Sequence, residues 1–541
     1  MSTAPSGTPA AGSRTDAPPA GGMAAGLAAA GVRRIFGMPG GGPNLDMIGA
    51  AAEHRIAFTL ARGETAACVM AGVFGLLTGT PGVAVVTRGP GLTSAVNGLA
   101  QATLDRAPLL LVSDTVPADR RSRIGHQLLD QVGVAAPVTR WNGTLGSADP
   151  AGVAAAACAL ATGPRAGAVH LDFDPSVPGD AAPAAPGPAS LDEAALERAV
   201  TTAGGRRRPV VVLGSGAARH AAALRAVLDG AGVPVLTTYQ GLGTIDSTGP
   251  DAAGLYTNGS PEQALLAGAD LVVGVGLDGV EPMPGEWAWE APVVLLDDAG
   301  FGPDTNTEFY GAPELVTGPP AESLAALLAA TAPGWEPGTG AHRRRELRAA
   351  LEAGPRGDGL HPVDLTRAVL DHLGPVQVSV DAGAHMLAVL PLWDAARPHG
   401  VLISNGLATM GYALPAAIGA ALARPGERVV CMVGDGGLGM TLAELETLAR
   451  LDLPVTVVVF DDAALSLIEL KQRGGQGGAG AVRFSPVDFA AVAAAMGIPS
   501  AVAGDVAGVT AALGGAGDGP FLLDARVDPA GYAHVMRVSR G

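Results

Sequence analysis

The apolar run Val429-Val430-Cys431-Met432-Val433 ends in Gly434-Asp435-Gly436-Gly437, and one helix and one strand later a second apolar run ends in Asp461-Asp462. Glycines let backbone approach a ligand closely. A strand-to-helix turn in an α/β sheet lies at the carboxyl edge, where ligands bind. Backbone N–H groups at a helix start favour a diphosphate. An aspartate in that turn would repel the anion unless it holds a divalent cation, which takes carboxylate and phosphate oxygens in octahedral geometry. Asp435 is the first ligand on this reading and Asp462 the second. Thr441-Leu442-Ala443-Glu444 reads as a capping box that opens the helix.

Three blocks position these residues. Each alternates short β-branched runs with Ala/Leu-rich helical runs, which predicts parallel sheets flanked by helices. The fold class expected is α/β, with three doubly wound parallel-sheet domains. The first covers 23–180, with strands near 34–37, 83–87, 109–112 and 168–172. The second covers 191–330, with strands near 209–213, 234–237, 271–275 and 292–296. The third covers 361–541, with strands near 376–380, 428–433, 455–460 and 521–524. The first and third are alike in plan. Residues 1–22 read as a disordered tail, 179–190 as a Pro/Ala-rich linker and 331–360 as a second linker.

Composition narrows the function. The 541 residues carry a net charge of −17. The only basic runs, 206–208 and 343–345, are short and read as solvated, which excludes a duplex-binding surface. Cys68, Cys158 and Cys431 lie in apolar surroundings and suit free thiols in a reducing cytoplasm. Residues 400–423 carry no charge, but Ser404, Asn405 and Pro415 interrupt them; a strand, a loop and a helix explain the run better than a membrane span.

With these motifs in place a resemblance emerges. The Gly434-Asp435-Gly436 turn followed by a terminal acidic pair resembles the fingerprint of thiamine diphosphate enzymes. Other segments resemble the acetolactate synthase-like members, in family order: Phe36-Gly37-Met38-Pro39-Gly40-Gly41, Arg62-Gly63-Glu64-Thr65-Ala66-Ala67, Gly89-Pro90-Gly91-Leu92-Thr93, His126-Gln127 with Asp130-Gln131, and Gly406-Leu407-Ala408-Thr409-Met410-Gly411. The resemblance names the three domains pyrimidine-binding, central and diphosphate-binding. It implies decarboxylation of a pyruvate-like 2-oxo acid and joining of the two-carbon remainder to a second carbonyl. A decarboxylase or lyase that releases an aldehyde is the alternative within the family, and a non-catalytic cofactor binder the alternative outside it. A lyase would use histidine proton relays, for which His126 and His385 are the candidates.

The resemblance also assigns roles. Glu64 matches the glutamate that hydrogen-bonds the cofactor's aminopyrimidine ring; lying between an apolar strand and an Ala-rich helix, it is expected to be partly desolvated, which favours sharing a proton near neutral pH. Gln127 matches a polar residue facing the reacting carbonyl. Met410 matches the apolar wedge that folds the cofactor, and Ala408 the position whose carbonyl meets its exocyclic nitrogen. Gly40, Gly41, Pro90, Gly434, Gly436 and Gly437 match cofactor-binding positions. Asp435, Asp462 and the Ala464 carbonyl match the Mg²⁺ ligands. Gly42 and Lys471, the single lysine of the chain, are candidate substrate contacts. The resemblance further implies a homodimer or homotetramer with active sites between subunits. The pocket depends on loops near 40–44, 385–390 and 465–478.

Several positions depart from the acetolactate synthase pattern. Gly63 stands where a His precedes the glutamate, Arg88 where a small residue precedes Gly89, and Leu128 where an acid follows Gln127. Asp462 replaces an Asn, which adds charge at the metal. Ser466 and Lys471 replace a Gly and a gating Trp, which puts housekeeping amino-acid synthesis in doubt. In the central block, Gly214-Ser215-Gly216 is too weak a fragment to establish FAD.

Overall fold

Strands buried at every position must be covered on both faces, and such runs build parallel sheets. The computed structural model describes residues 18–473, 475 and 480–540. Among the described residues the strands form three six-stranded parallel sheets. The first is ordered Ala57–Leu60, Arg34–Met38, Gly82–Val86, Leu109–Asp114, Ala168–Phe173, Trp141–Leu145. The third repeats that order: Val401–Ile403, Gln377–Val380, Val429–Gly434, Val455–Asp461, Phe521–Arg526, Ser500–Ala503. In both, the order reverses beside the first strand of the domain, which opens a crevice at the carboxyl edge. The middle sheet runs Glu314–Thr317, Val293–Asp297, Leu271–Val275, Pro209–Leu213, Val235–Thr237, Ala252–Leu255, and reverses between Leu271–Val275 and Pro209–Leu213.

The first and third domains share one core. The helix Glu64–Thr78 lies along the helix Ala413–Ala423, and both are rich in Ala and Gly. Their approach is close because Gly419 has no side chain: a Cβ there would stand 2.6 Å from the Met70 carbonyl oxygen. Glu64 begins one of these helices, and Met410 lies three residues before the other.

Three expectations need correction. Residues 18–22 are not tail, since a helix spans Pro18–Ala29; residues 1–17 lie outside the described residues. The stretch 331–360 holds a helix, Thr339–Glu352, whose charged face hides it from an apolar-periodicity search. Thr441 and Glu444 form no capping box. The helix already starts at Asp435, and Glu444 turns away to another loop. The run 400–423 resolves into a strand, a loop and a helix, and among the described residues no helix is long and apolar enough to cross a membrane.

Candidate active site

The predicted residues fall into two groups, each at the crevice of its sheet. In the first domain Gly40 follows the strand Arg34–Met38. Its N–H donates to Asn44 at 2.8 Å, and the Asn44 amide donates to the Val86 carbonyl at 3.0 Å, which ties together the two loops that flank the crevice. A Cβ on Gly40 would stand 2.3 Å from the Thr87 hydroxyl, while Gly41 and Gly42 face open space. Gly89, at φ +65°, donates to buried Gln131 at 2.7 Å, and Pro90 starts the next helix. Gln131 in turn donates to Asp172 at 2.6 Å, in a buried net with Ser113 and His170. That Ser/His/Asp net is sealed from solvent and serves as the floor of the loop.

Gln127 sits in an exposed turn against Gly89, held at φ +57°. Glu64 is half-buried in the first turn of its helix. The chain alone therefore desolvates Glu64 only in part.

In the third domain the crevice lies between Asp381, after Gln377–Val380, and Asp435, after Val429–Gly434. Asp435 Oδ1 accepts the Gly436 N–H at 2.7 Å, and Oδ2 is buried with no partner. Burial first, then the Asp462 charge, pushes the Asp435 carboxyl up to about 7. Asp462 accepts the Ala464 N–H at 3.2 Å and the Ser466 hydroxyl, and burial raises it as well. Ala463 turns between them at φ +55°.

A buried carboxyl with an orphaned oxygen, raised further by a half-buried neighbour, fits a divalent cation. Among the described residues no third His, Cys, Asp or Glu joins them. An octahedral ion would take its other oxygens from backbone, diphosphate and water. Below about pH 7 the ion must displace a proton from Asp435, so Mg²⁺ affinity should fall by about tenfold per pH unit there and level off above. Titration calorimetry across pH checks this. Asp462→Asn removes the like charge and should move that break to lower pH.

Met410 and Gly436 lie against each other. A Cβ on Gly436 would stand 3.3 Å from the Met410 methyl and 2.9 Å from Leu465. A Cβ on Gly437 would collide with Asp381, at 2.3 Å. Ala408 is exposed at φ +51°, in a loop stitched to the first domain: Asp105 accepts the N–H groups of Asn405 at 3.0 Å and Gly406 at 2.6 Å, and Asn97 donates to Thr409 at 2.9 Å. Left-handed backbone at the non-glycine residues Gln127, Ala408 and Ala463 marks the site loops as strained, and such strain gathers at functional sites.

Sequence reasoning missed three neighbours. Buried Asp381 accepts the N–H of Gly411 at 2.9 Å and of Tyr412 at 3.3 Å, which fixes the loop just after Met410. Burial pushes it up to about 7. Tyr532, in the last helix, lies near enough to Asp462 and Asp435 for both charges to raise its hydroxyl, after burial. Glu444 holds the Arg62 backbone. Asp381 could have been found only by knowing that its strand lies beside Val429–Gly434.

Within one chain no hydrogen bond joins the two candidate relay histidines among the described residues. His126 sits in an exposed turn of the first domain. His385 is buried in the third, stacked on Phe460 with ring centroids 5.3 Å apart, and burial pushes it down to about 4. Lys471 is exposed on the helix Ser466–Arg473. Most of the stretch 465–478, expected as a loop, is the helix Ser466–Arg473; its residues 474 and 476–478 lie outside the described residues. Among the described residues no hydrogen bond or ion pair joins Glu64 or Gln127 to the Asp435 cradle.

A cavity of about 260 Å³ opens at the middle crevice, lined in part by Ser215, Gly216, Arg219, Gln240, Gly276 and Asp278. Glu281 accepts the Ser215 N–H at 2.9 Å, the Asp278 N–H at 2.8 Å and the Thr238 hydroxyl at 2.5 Å. Its carboxylate takes the place above the Gly214-Ser215-Gly216 turn where a dinucleotide's phosphate would rest. A carboxylate on this turn disfavours a phosphate there. The purified protein should show no flavin absorbance and take up none on incubation with FAD.

Three family descriptions match the chain. "Thiamine pyrophosphate enzyme, N-terminal TPP binding domain" matches residues 20–134, the corresponding central domain 196–299, and "C-terminal TPP binding domain" 381–525. The chain is 30% identical to an acetolactate synthase of Bacillus subtilis, over 92% of this chain and 91% of that one. It is 29% identical to a catabolic acetolactate synthase of Raoultella terrigena, over 87% and 88%. It is 28% identical to the acetolactate synthase isozyme 2 large subunit of Escherichia coli, over 83% of each.

Proposed function

The chain belongs to the thiamine pyrophosphate enzyme family, and from that premise we propose that it decarboxylates a pyruvate-like 2-oxo acid and joins the two-carbon remainder to a second carbonyl, as an acetolactate synthase does. The observation that carries this reading is the orphaned Asp435 oxygen beside Asp462, at the crevice of the third sheet with Met410 against its glycines. Thiamine diphosphate, when bound, supplies the electron sink into which the carboxylate bond breaks.

The chain's residues do the rest. Asp435, Asp462 and the Ala464 carbonyl would hold Mg²⁺, and Gly434, Gly436 and Gly437 would bring backbone N–H groups close to the diphosphate. Met410 would prop the bound rings, and the loop at Ala408 would present its carbonyl to the pyrimidine. Glu64 holds the proton exchanged with the pyrimidine ring, Gln127 faces the reacting carbonyl, and Gly40, Gly41 and Pro90 shape the wall. Gly42 and Lys471 are the proposed substrate contacts. The carboligase reading is favoured over the lyase by the named relatives.

The two groups of residues act together across a second copy of the chain, as a homodimer or larger homo-oligomer. What supports this is apolar surface beside both: Met38, Leu45, Leu60, Leu128 and Leu129 around the first crevice, and Met440, Ile468 and Phe484 around the third, are all exposed. Exposed apolar residues gathered beside a site are what a second copy would cover. A second copy would also complete the desolvation of Glu64.

Incubation with pyruvate, Mg²⁺ and thiamine diphosphate tests the function. Acetolactate formed with CO₂ supports it. Acetaldehyde as the main product makes the chain a lyase. Cofactor binding without turnover of any 2-oxo acid overturns both.

A further inference from the structure

The turn that carries Glu64 is gripped from the third domain by one short helix. Buried Glu444 opens the helix Glu444–Arg450. Its Oε1 accepts the Arg62 backbone N–H at 2.9 Å, and its Oε2 accepts the Thr447 hydroxyl at 2.7 Å. At the other end of the helix, Arg450 donates to the Leu60 carbonyl at 2.7 Å and is braced by Glu446 at 2.9 Å. Both sides of the turn between Ala57–Leu60 and Glu64–Thr78 are thus held by one element. Ala61 packs into the core and its N–H donates to the Gly37 carbonyl at 3.0 Å, but the part of the turn next to Glu64 is not packed: Arg62 is exposed and a Cβ on Gly63 would meet open space.

The same stretch of chain reaches the cradle. Leu442 and Ala443 keep helical backbone between Asp435–Thr441 and Glu444–Arg450, so one nearly continuous segment has Asp435 at its start and the grip at its end. A buried carboxylate is costly to keep, and burial raises this one. A packed apolar residue would avoid that cost but could not accept the Arg62 N–H.

We propose that Glu444 is a positioning residue: by holding the Arg62 N–H it aims Glu64, and through the 435–450 segment it links a chain's own cofactor cradle to the acid that the same chain presents. The proposal rests on the reading of Glu64 given above.

The test compares Glu444→Ala, Glu444→Gln and Glu64→Gln in the full-length protein. Amide hydrogen exchange over residues 60–64 is read by mass spectrometry in the cofactor-free protein. Exchange of the thiazolium proton of added thiamine diphosphate is read by NMR, and the cofactor's Kd is measured separately. Glu444→Ala should speed amide exchange at 60–64. It should also slow thiazolium exchange by up to about 100-fold, the cost of a misplaced group, with Kd little changed. Glu444→Gln keeps an oxygen for Arg62 and should restore both.

Unchanged amide exchange in Glu444→Ala overturns the grip. Normal thiazolium exchange in Glu444→Ala, with slow exchange in Glu64→Gln, overturns the aiming, as does failure of Glu444→Gln to rescue. Normal thiazolium exchange in Glu64→Gln instead overturns the role of Glu64, and the amide readout then decides the grip alone. If Glu444→Ala does not fold, Arg450→Ala removes the other hold and is read the same way.

Discussion

Glu64→Gln should lower kcat by about 10²- to 10⁴-fold, the usual worth of a positioned proton-transfer group, and leave the Kd for thiamine diphosphate and Mg²⁺ almost unchanged. The substitution keeps the volume and one acceptor but cannot give up a proton. Glu64 stands apart from the Asp435 cradle, so the metal and diphosphate contacts survive it. Stability should also hold: the side chain is half-buried and has no hydrogen bond or ion pair among the described residues, and a change at such a position stays within about 0.5 kcal/mol. A large fall in kcat with a matched loss of cofactor affinity would place Glu64 in binding and not in proton transfer. Steady-state kinetics and calorimetry on one preparation separate the two.

Asp435→Asn should have effects of opposite sign on the empty and the loaded protein. In the empty protein the Asp435 carboxyl is raised from the usual carboxylate range to about 7. Between about pH 4 and pH 7 the folded chain then binds more protons than the unfolded one, so stability falls as pH rises through that window. Asp435→Asn removes the orphaned charge, so the metal-free variant should melt above the metal-free parent at pH 8 and close to it at pH 4. Affinity for Mg²⁺ with thiamine diphosphate should fall by about 100-fold or more, since losing even a supporting partner of a metal ligand costs 10- to 100-fold. A structural carboxylate would instead destabilise the empty protein when removed. Thermal melts with and without Mg²⁺ and cofactor, at the two pH values, decide between these.

The residues that local pattern can reveal were the ones legible in the sequence. Val429–Gly434 and Val455–Asp461 are long, unbroken β-branched runs, and each strand end delivers its aspartate to the carboxyl edge. The likeness of the first and third domains survives as an identical strand order. What stayed hidden depends on partners far along the chain. Glu444 satisfies a capping pattern locally, but tertiary contact turns it to Arg62, 382 residues away. Asp381 and Tyr532 act on loops that only the sheet order brings near. The helix Thr339–Glu352 buries just Gly340, Ala341 and Leu351, too few for an apolar stripe. Glu281 carries no motif, yet its carboxylate takes the Ser215 N–H of the Gly214-Ser215-Gly216 turn.

The proposed site joins two groups of residues from different sheets on one cofactor across two copies of the chain. Co-expression of Glu64→Gln chains with Asp435→Ala chains tests this most directly, because each parent lacks one half of every site. If Glu64 of one chain serves the cradle of the other, mixed dimers hold one intact site. Acetolactate formation should then recover to about a quarter of the wild-type rate under random pairing. Mixed dimers that form yet show no activity beyond the inactive parents would contradict the account.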